Sequence, residues 1–187
     1  AENQTILSIE DFNEAIPKAG SVVKQLGGDV EDLAYFLTAM REGGINASQS
    51  ANALKSSLAR LINPTEVSIE KMSGFGIDIL GIVNDNAGNL KRTIQVLAVE
   101  LDKLDPLNKS RAIEQLFGKF QFARMSTLFE NIVKEGSQAN KILELTTQST
   151  EALAIIAERE LARVSDSPMY KFKKAVEEFQ ASMAPIG

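Results

Sequence analysis

A chain of 187 residues, of which 44% are hydrophobic, is long enough to bury one or two cores and does not have the composition of a disordered protein. Its 20 Lys and Arg residues and 25 Asp and Glu residues form no long block of either sign, so the basic face that duplex DNA binding needs is not expected. Because Cys, His and Trp are all missing, the composition excludes thiolate nucleophiles, disulfides, and the commonest metal ligand and general base.

The longest stretch without a charged residue runs from Gly43 to Leu54 and is rich in Asn and Ser. It is far shorter than the roughly 20 apolar residues that cross a bilayer, so no transmembrane helix is predicted. The chain opens with Ala1-Glu2-Asn3 rather than Met, and no charged-then-apolar leader follows. We therefore expect a piece excised from a longer protein.

Apolar residues recur three and four positions apart in segment after segment, which is typical of amphipathic helices. The predicted fold class is mainly α, a multi-helix bundle of helical hairpins with at most one small β-hairpin near residues 77–89. The first helix is predicted near residues 9–26, with Ser8 and Asp11 as its capping pair. Pro17 should kink this helix or split it in two, and Gly27 ends it.

The second and third helices should form a helical hairpin. Asp29 can cap the second helix, which ends before Gly43, and Asn46 can cap the third, which ends before Pro64. Their apolar stripes are Val30, Leu33, Leu37 and Met40 on the second helix, and Ala47, Ala51, Leu54, Leu58 and Leu61 on the third.

After a short predicted helix from Thr65 to Met72, three glycines and four β-branched residues interrupt the helical pattern. The strands of the chain are expected here. The turn residues from Asn84 to Asn89 either close a small hairpin or lead directly into a new helix capped by Asn89. The residues that suggest strands are Gly74, Gly76, Ile77, Ile79, Gly81, Ile82 and Val83.

The middle of the chain predicts two further helical segments. One carries Leu90, Ile94, Leu97, Leu101 and Leu104 on one side and stops at Asp105, where a cap and the first-turn Pro106 begin another. The second covers residues 108–133 with an interruption at Gly118. Its broad apolar face contains Ile113, Leu116, Phe117, Phe120, Leu128, Phe129 and Ile132.

The last third predicts a helix from about Ser137 to Val164, a turn at residues 166–168 and a final helix through Met183. Two regions are therefore expected. Residues 1–135 form a helical region with the small β-hairpin, and residues 136–187 form a long helical hairpin that packs on it or extends from it. The final helix carries a stripe that needs a partner surface, namely Met169, Phe172, Val176, Phe179 and Met183.

Three carboxylate clusters could in principle perform acid–base chemistry in a chain without His. A structural role explains each cluster better, because negative charge is favoured at helix N-termini and beside Arg on a solvated helix. We therefore predict no catalytic residues and no enzyme. The clusters are Asp29/Glu31/Asp32, Asp102/Asp105 and Glu158/Glu160, the last pair flanking Arg159.

Two loops resemble ligand-binding motifs only superficially. The run from Gly74 to Gly81 has its third glycine too late for a dinucleotide fingerprint and lacks the strand-turn-helix frame. The run from Asn84 to Asn89 has Gly88 one position too early for a calcium loop, and Gln95 stands where a bidentate Glu is required. No cofactor and no metal site are predicted.

Four phenylalanines could be imagined as a stacking platform for single-stranded nucleic acid, with Lys119 and Arg124 between them. Packing in a helical core is the better interpretation, because only these two cations interleave. The four are Phe117, Phe120, Phe122 and Phe129.

Three stretches together resemble the core region of bacteriophage tail tape measure proteins. They are LTAMREGGINASQSANALKSSLARLINPT (Leu37 to Thr65), FGIDILGIVNDNAGNLKRTIQVLAVEL (Phe75 to Leu101) and AIEQLFGKF (Ala112 to Phe120), in family order across roughly residues 29–135. Residues 159–187 are similar to helices that often follow. The chain departs from the pattern after Gly118 and Lys119, where Phe120-Gln121-Phe122 is bulkier than the small residues expected.

The resemblance implies a portion of a longer virion protein, located in the phage tail lumen and, during assembly, in the host cytoplasm. Such a protein sets tail length during assembly and leaves ahead of the DNA at infection. The implied partners are the tail tube protein, tail assembly chaperones and baseplate or tail-tip proteins. Self-association through the helical stripes is also expected, without sequence-specific nucleic acid binding.

Two other function classes remain as alternatives. One is a helical protein–protein interaction or adaptor module without catalytic activity, whose apolar stripes bind partner helices. The other is a cell-wall-degrading domain, which needs a catalytic Glu in a cleft or a His/Cys site, and this sequence offers no convincing candidate.

Overall fold

In a computed structural model of the chain, residues 7–141 and Val176 are described. Between Ile9 and Val133 the chain forms eight helices, and no residue of the described ranges lies in a strand. The mainly α fold class is confirmed. The helices are α1 (Ile9–Gln25), α2 (Val30–Glu42), α3 (Ala47–Ile62), α4 (Glu66–Gly74), α5 (Ile79–Asp85), α6 (Leu90–Asp102), α7 (Pro106–Phe117) and α8 (Phe122–Val133).

Short polar side chains at the helix starts explain most of these boundaries, because they accept hydrogen bonds from first-turn amides that have no partner within the helix. Ser8 and Asp11 form the predicted capping box at the start of α1. The other predicted caps are confirmed in the same way. They are Asp29 for α2, Asn46 for α3, Asn89 for α6 and Asp105 for α7, and Thr65 begins α4 likewise.

The strands expected around residues 77–83 are wrong, because the chain forms the short helix α5 there. The Oδ1 atom of Asp78 accepts a hydrogen bond from the amide of Gly81 at 2.9 Å, which caps that helix. Ile77 and Ile79 are both buried in the hydrophobic core. Burial of these two side chains outweighs the weak strand preference of β-branched residues. The turn after α5 leads directly into α6, which was the second of the two predicted outcomes.

Pro17 does not split the first helix, since α1 continues unbroken from Ile9 to Gln25. A proline at this position cannot donate a hydrogen bond to the carbonyl of Asn13. Both residues lie on the exposed face, where water can bind that carbonyl. The opposite face of α1 is buried through Ala15 and Ala19. Tertiary packing therefore holds the helix together across the proline.

The core is centred on α2, in which every residue from Asp32 to Met40 is buried. The helices α1, α3 and α8 all contact α2. The predicted α2–α3 contact is present, although the most extensive neighbour of α3 is α1. A helix buried on all sides needs several partners, so residues distant in sequence decide its stability.

Residues 137–141, which follow α8, are hydrogen-bonded to side chains of α2. The amide of Gln138 donates to the Oε2 atom of Glu42 at 2.9 Å, and the hydroxyl of Tyr35 donates to the Oδ1 atom of Asn140 at 3.3 Å. A helical turn begins here with Ser137 as its cap, since the amide of Asn140 donates to its Oγ atom at 3.1 Å.

The rest of the predicted 137–164 helix, the turn at 166–168 and the final helix lie outside the described residues. The exception is Val176, which is half-buried against the core. The division into residues 1–135 and 136–187 therefore stays a prediction.

Candidate interaction surfaces

The acidic cluster at residues 29–32 lies at the start of α2, against the start of α6. Asp29 is the N-cap, and its Oδ1 atom accepts from the amide of Asp32 at 2.9 Å. Asp32 itself is buried, and its Oδ1 atom lies 3.7 Å from the Nζ atom of Lys91 on α6. At this distance the pair is an ion pair without a good hydrogen bond.

The environment of Asp32 disfavours its charged form. Burial, and after it the charge of Asp29, raise the pKa of this carboxyl from 3.8 to about 6, and the charge of Lys91 offsets part of the rise. Burial and Asp29 also raise the pKa of Glu31. Asp29 is therefore the predicted cap of α2, whereas the contact of Asp32 with Lys91 on α6 was not predicted.

Two glycine turns meet beside this cluster. Gly27 precedes α2 with φ of +77°, Gly88 precedes α6 with φ of +81°, and a Cβ atom on Gly27 would collide with the backbone of Gly88. The close approach of the two turns brings the first residues of α2 and α6 together. It is the reason that Asp32 and Lys91 meet.

The two residues of the second acidic cluster, Asp102 and Asp105, have different local roles. Asp105 caps α7, and hydrogen bonds led by the one from the amide of Asn108 lower the pKa of its carboxyl. Asp102 forms an ion pair with Lys109, whose Nζ atom lies 2.7 Å from its Oδ1 atom. The pair Glu158 and Glu160 lies outside the described residues.

The two loops compared above with a dinucleotide fingerprint and a calcium loop lack the secondary structure that those ligand-binding motifs require. Gly74 is the last residue of α4 and Gly81 lies within α5, so no strand precedes the glycines. Asn84 belongs to α5 and Asn89 caps α6. Within residues 7–141, no group of three or more acidic side chains is placed to hold a metal ion.

The four phenylalanines do not form a stacking platform. Phe117 and Phe129 are buried with their ring centroids 5.7 Å apart, which confirms core packing for these two. Phe122 is half-buried against the core. Phe120 is 93% exposed, so its predicted place on the apolar face is wrong.

The turn that carries Phe120, residues 118–121, is held firmly and is called the Phe120 turn below. Gly118 has φ of +81°, and its carbonyl accepts from the amide of Gln121 at 3.1 Å. Arg124 donates to the carbonyl of Phe120 at 3.1 Å and to the Oε1 atom of Gln121 at 3.2 Å. The guanidinium of Arg60 lies against Gly118, where a Cβ atom would come within 3.2 Å of it. Two arginine side chains thus contact the backbone of the turn that carries this exposed aromatic ring.

A groove with a volume of about 420 Å³ lies at the opposite end of α7, between the α6–α7 turn and α8. Its lining includes the apolar residues Leu104, Pro106 and Ile113 and the charged residues Asp102, Glu130 and Lys109. We call it the acid-rimmed groove. Neither surface was predicted from the sequence, although Gly118 between two apolar segments signals a tight turn.

The chain matches the model of the family described as phage-related minor tail protein over residues 1–118, which is more than half of its length. The chain belongs to this family. The minor tail proteins of the family are structural components of phage tails, and they are related to tape measure proteins. The predicted family is confirmed, and so is a structural role in the virion tail.

One curated relative extends the similarity beyond the family model. A tape measure protein of Pneumococcus phage Dp-1 is 23% identical over 209 residues, an alignment that covers 100% of this chain and 18% of that protein. The chain thus spans less than a fifth of the relative's length. No solved structure matches this chain. Among its described residues, no helix has the length and apolar character needed to cross a membrane.

Proposed function

We propose that this chain is a structural segment of a phage tail tape measure protein, which contributes to tail assembly, tail length determination and the passage of DNA at infection. The observation that carries the proposal is the alignment of the whole chain with one stretch of a tape measure protein. The helical content adds a physical reason. An α-helix rises about 1.5 Å per residue, so helical sequence converts chain length into distance at a constant rate.

The bundle and an extended helix differ greatly in length. The longest described helix, α1, has 17 residues and therefore spans only about 26 Å. The same 187 residues as one continuous helix would span about 280 Å. We infer that the bundle is the form of the chain before tube assembly, and that the segment is more extended inside the tail lumen.

Passage of DNA is compatible with the charge of the chain. A formal net charge of -5 repels the DNA phosphates rather than binding them. A protein that must leave the tube ahead of DNA gains from this weak affinity. We therefore propose no sequence-specific contact with nucleic acid.

Tail length tests the ruler function. In the full-length gene, an in-frame deletion of residues 137–164 should shorten tails by about 42 Å, and duplication of the same segment should lengthen them by about 42 Å. A variant in which an unrelated helical sequence of equal length replaces the segment is the matched control and should keep the tail length. Electron microscopy of purified tails measures all three. Unchanged tail length in the deletion variant would count against a ruler role for this segment.

The proposed partners are the tail tube protein, the assembly chaperones and the baseplate or tail-tip proteins, and the proposed locations are the host cytoplasm during assembly and the tail lumen afterwards. The chain contains no Cys, so a single Cys introduced at exposed Lys55 is the one thiol in this segment. A thiol crosslinker should join it to the tail tube protein in assembled tails. Tails assembled without the tape measure protein provide the background, and a signal no higher than that background would contradict lumenal contact.

A further inference from the structure

We propose that the Phe120 turn of one copy of this chain docks into the acid-rimmed groove of a second copy. The proposal goes beyond the function proposed above and does not depend on it. It rests on two features of the described residues that complement each other in shape and in charge.

The first feature is the exposed ring itself. Phe120 is 93% exposed, whereas Phe117 on α7 and Phe129 on α8 are buried in the core. The hydrogen bonds from Arg124 and Gln121 hold the backbone of the turn in place, so little conformational entropy is lost when a partner covers the ring. Rigid exposed aromatic residues of this kind are typical anchors of protein interfaces.

The second feature is a groove that fits the ring. An apolar cavity of about 150 Å³ is enough for benzene, and the acid-rimmed groove has about 420 Å³. Leu104, Pro106 and Ile113 supply apolar surface there. Lys109, whose Nζ atom is paired with Asp102, is also a lining residue of the groove.

Charge complementarity favours a second copy of this chain as the occupant of the groove. Arg60 and Arg124 contact the backbone of the Phe120 turn and Lys119 belongs to it, while the groove is lined by Asp102 and Glu130 and by one cation, Lys109, which pairs with Asp102. Within the described part of the chain, Glu130 has no ion-pair partner. One molecule therefore carries both halves of a complementary contact, and like charges would oppose docking of turn on turn or groove on groove.

The positions of the two surfaces favour a closed pair. The groove is lined by α7 residues from Pro106 to Ile113 and the Phe120 turn follows the last residue of this helix, so about 8–18 Å separates them along its axis. Two copies with antiparallel α7 helices place each Phe120 beside the groove of the other copy. Both contacts then form at once, as in a two-fold symmetric dimer.

Sedimentation equilibrium of the 187-residue chain at increasing concentration tests the proposal. The wild-type chain should associate as a dimer, and Phe120→Ala should weaken this association at least tenfold. Val67→Ala is the matched control, because Val67 is also an exposed apolar side chain, 58% exposed on α4. A wild-type chain that stays monomeric at millimolar concentration, or an equal effect of the two variants, would overturn the proposal.

A charge exchange tests the orientation of the contact. Lys119→Glu and Glu130→Lys should each weaken the dimer, and a chain that carries both substitutions should regain most of the wild-type affinity. A combined variant that is weaker than either single variant argues against the pairing. If Phe120 instead mediates binding of a monomeric chain to the tail tube protein, the second copy is the wrong occupant.

Disulfide trapping keeps the test valid for a weak dimer, since the chain has no Cys of its own. Lys119→Cys places a thiol on the Phe120 turn, and Ser110→Cys places one in the groove. Oxidation of a mixture of the two variants should give a mixed disulfide-linked dimer at a several-fold higher rate than a mixture of Lys119→Cys with Lys55→Cys. Equal rates in the two mixtures would show random collision only and would refute the proposal.

Discussion

The carboxylate of Asp32 and the ammonium of Lys91 lie 3.7 Å apart at the point where α2 and α6 begin side by side. Asp32 is buried in this contact and has a pKa of about 6. The pair joins two helices that are distant in sequence, beside the turns formed by Gly27 and Gly88. This junction has direct consequences for the stability of the bundle.

The stability of the bundle should fall as pH rises from about 4 to above 6. The folded-state pKa of Asp32 is raised from 3.8 to about 6, so the favourable contribution of its protonated form is fully present below pH 3.8 and is lost as pH rises through 6. The difference of about two pKa units corresponds to at most about 3 kcal/mol. Urea unfolding at several pH values measures it.

Asp32→Asn isolates this effect from the other titrating groups. The variant should remove most of the pH-dependent change and should exceed the wild type in stability above pH 7. Exposed Asp85→Asn is the matched control and should retain the wild-type pH profile. If wild type and Asp32→Asn give parallel profiles from pH 4 to 8, the raised pKa is refuted.

Gly27→Ala should destabilise the bundle through two separate effects. The positive φ of +77° costs an L-residue about 1–2 kcal/mol, and contact of the new Cβ atom with Gly88 adds about 1–3 kcal/mol. Gly76→Ala is the control, since Gly76 has φ of +79° and no heavy atom within 4 Å of a built Cβ atom. Chemical denaturation of both variants separates the two effects, and an equal loss in both would exclude the predicted collision.

Asn131→Ala should loosen α8 from α2. The side-chain amide of Asn131 donates to the carbonyl of Ala39 at 2.8 Å in a buried position. Removal of a buried hydrogen bond of this kind costs about 1–3 kcal/mol. Asn52→Ala, on the exposed side of α3, controls for the change in helix propensity. Thermal unfolding should show a lower Tm for Asn131→Ala alone, and a Tm like that of the control would show that this bond contributes nothing.

Ser57→Ala should stabilise the protein by about 1 kcal/mol. Ser57 is buried, and its hydroxyl has no hydrogen-bond partner among the described residues. A buried hydroxyl without a partner carries an uncompensated desolvation cost. The neighbouring Ser56 is the matched control, because its hydroxyl donates to the carbonyl of Asn52 at 3.0 Å. Ser56→Ala should give no such gain, and a gain of the same size in both variants would point to helix propensity instead.

The helix boundaries were predictable because they depend on contacts between near neighbours. A cap such as Asp29 or Asn89 bonds amides two or three residues away, so its effect is visible in a short window of sequence. The same holds for Gly118, which ends α7 as predicted. The family resemblance also followed from local motifs in a fixed order.

The sequence by itself determined the helical class, the starts of the helices with predicted caps and the lack of His and Cys chemistry, because helix periodicity, capping and composition are local properties. Only the tertiary structure decided that residues 79–85 form a helix, that Phe120 is exposed and that Asp32 meets Lys91. Each of these depends on which helix faces become neighbours, and burial between residues far apart in the chain then outweighs local preference.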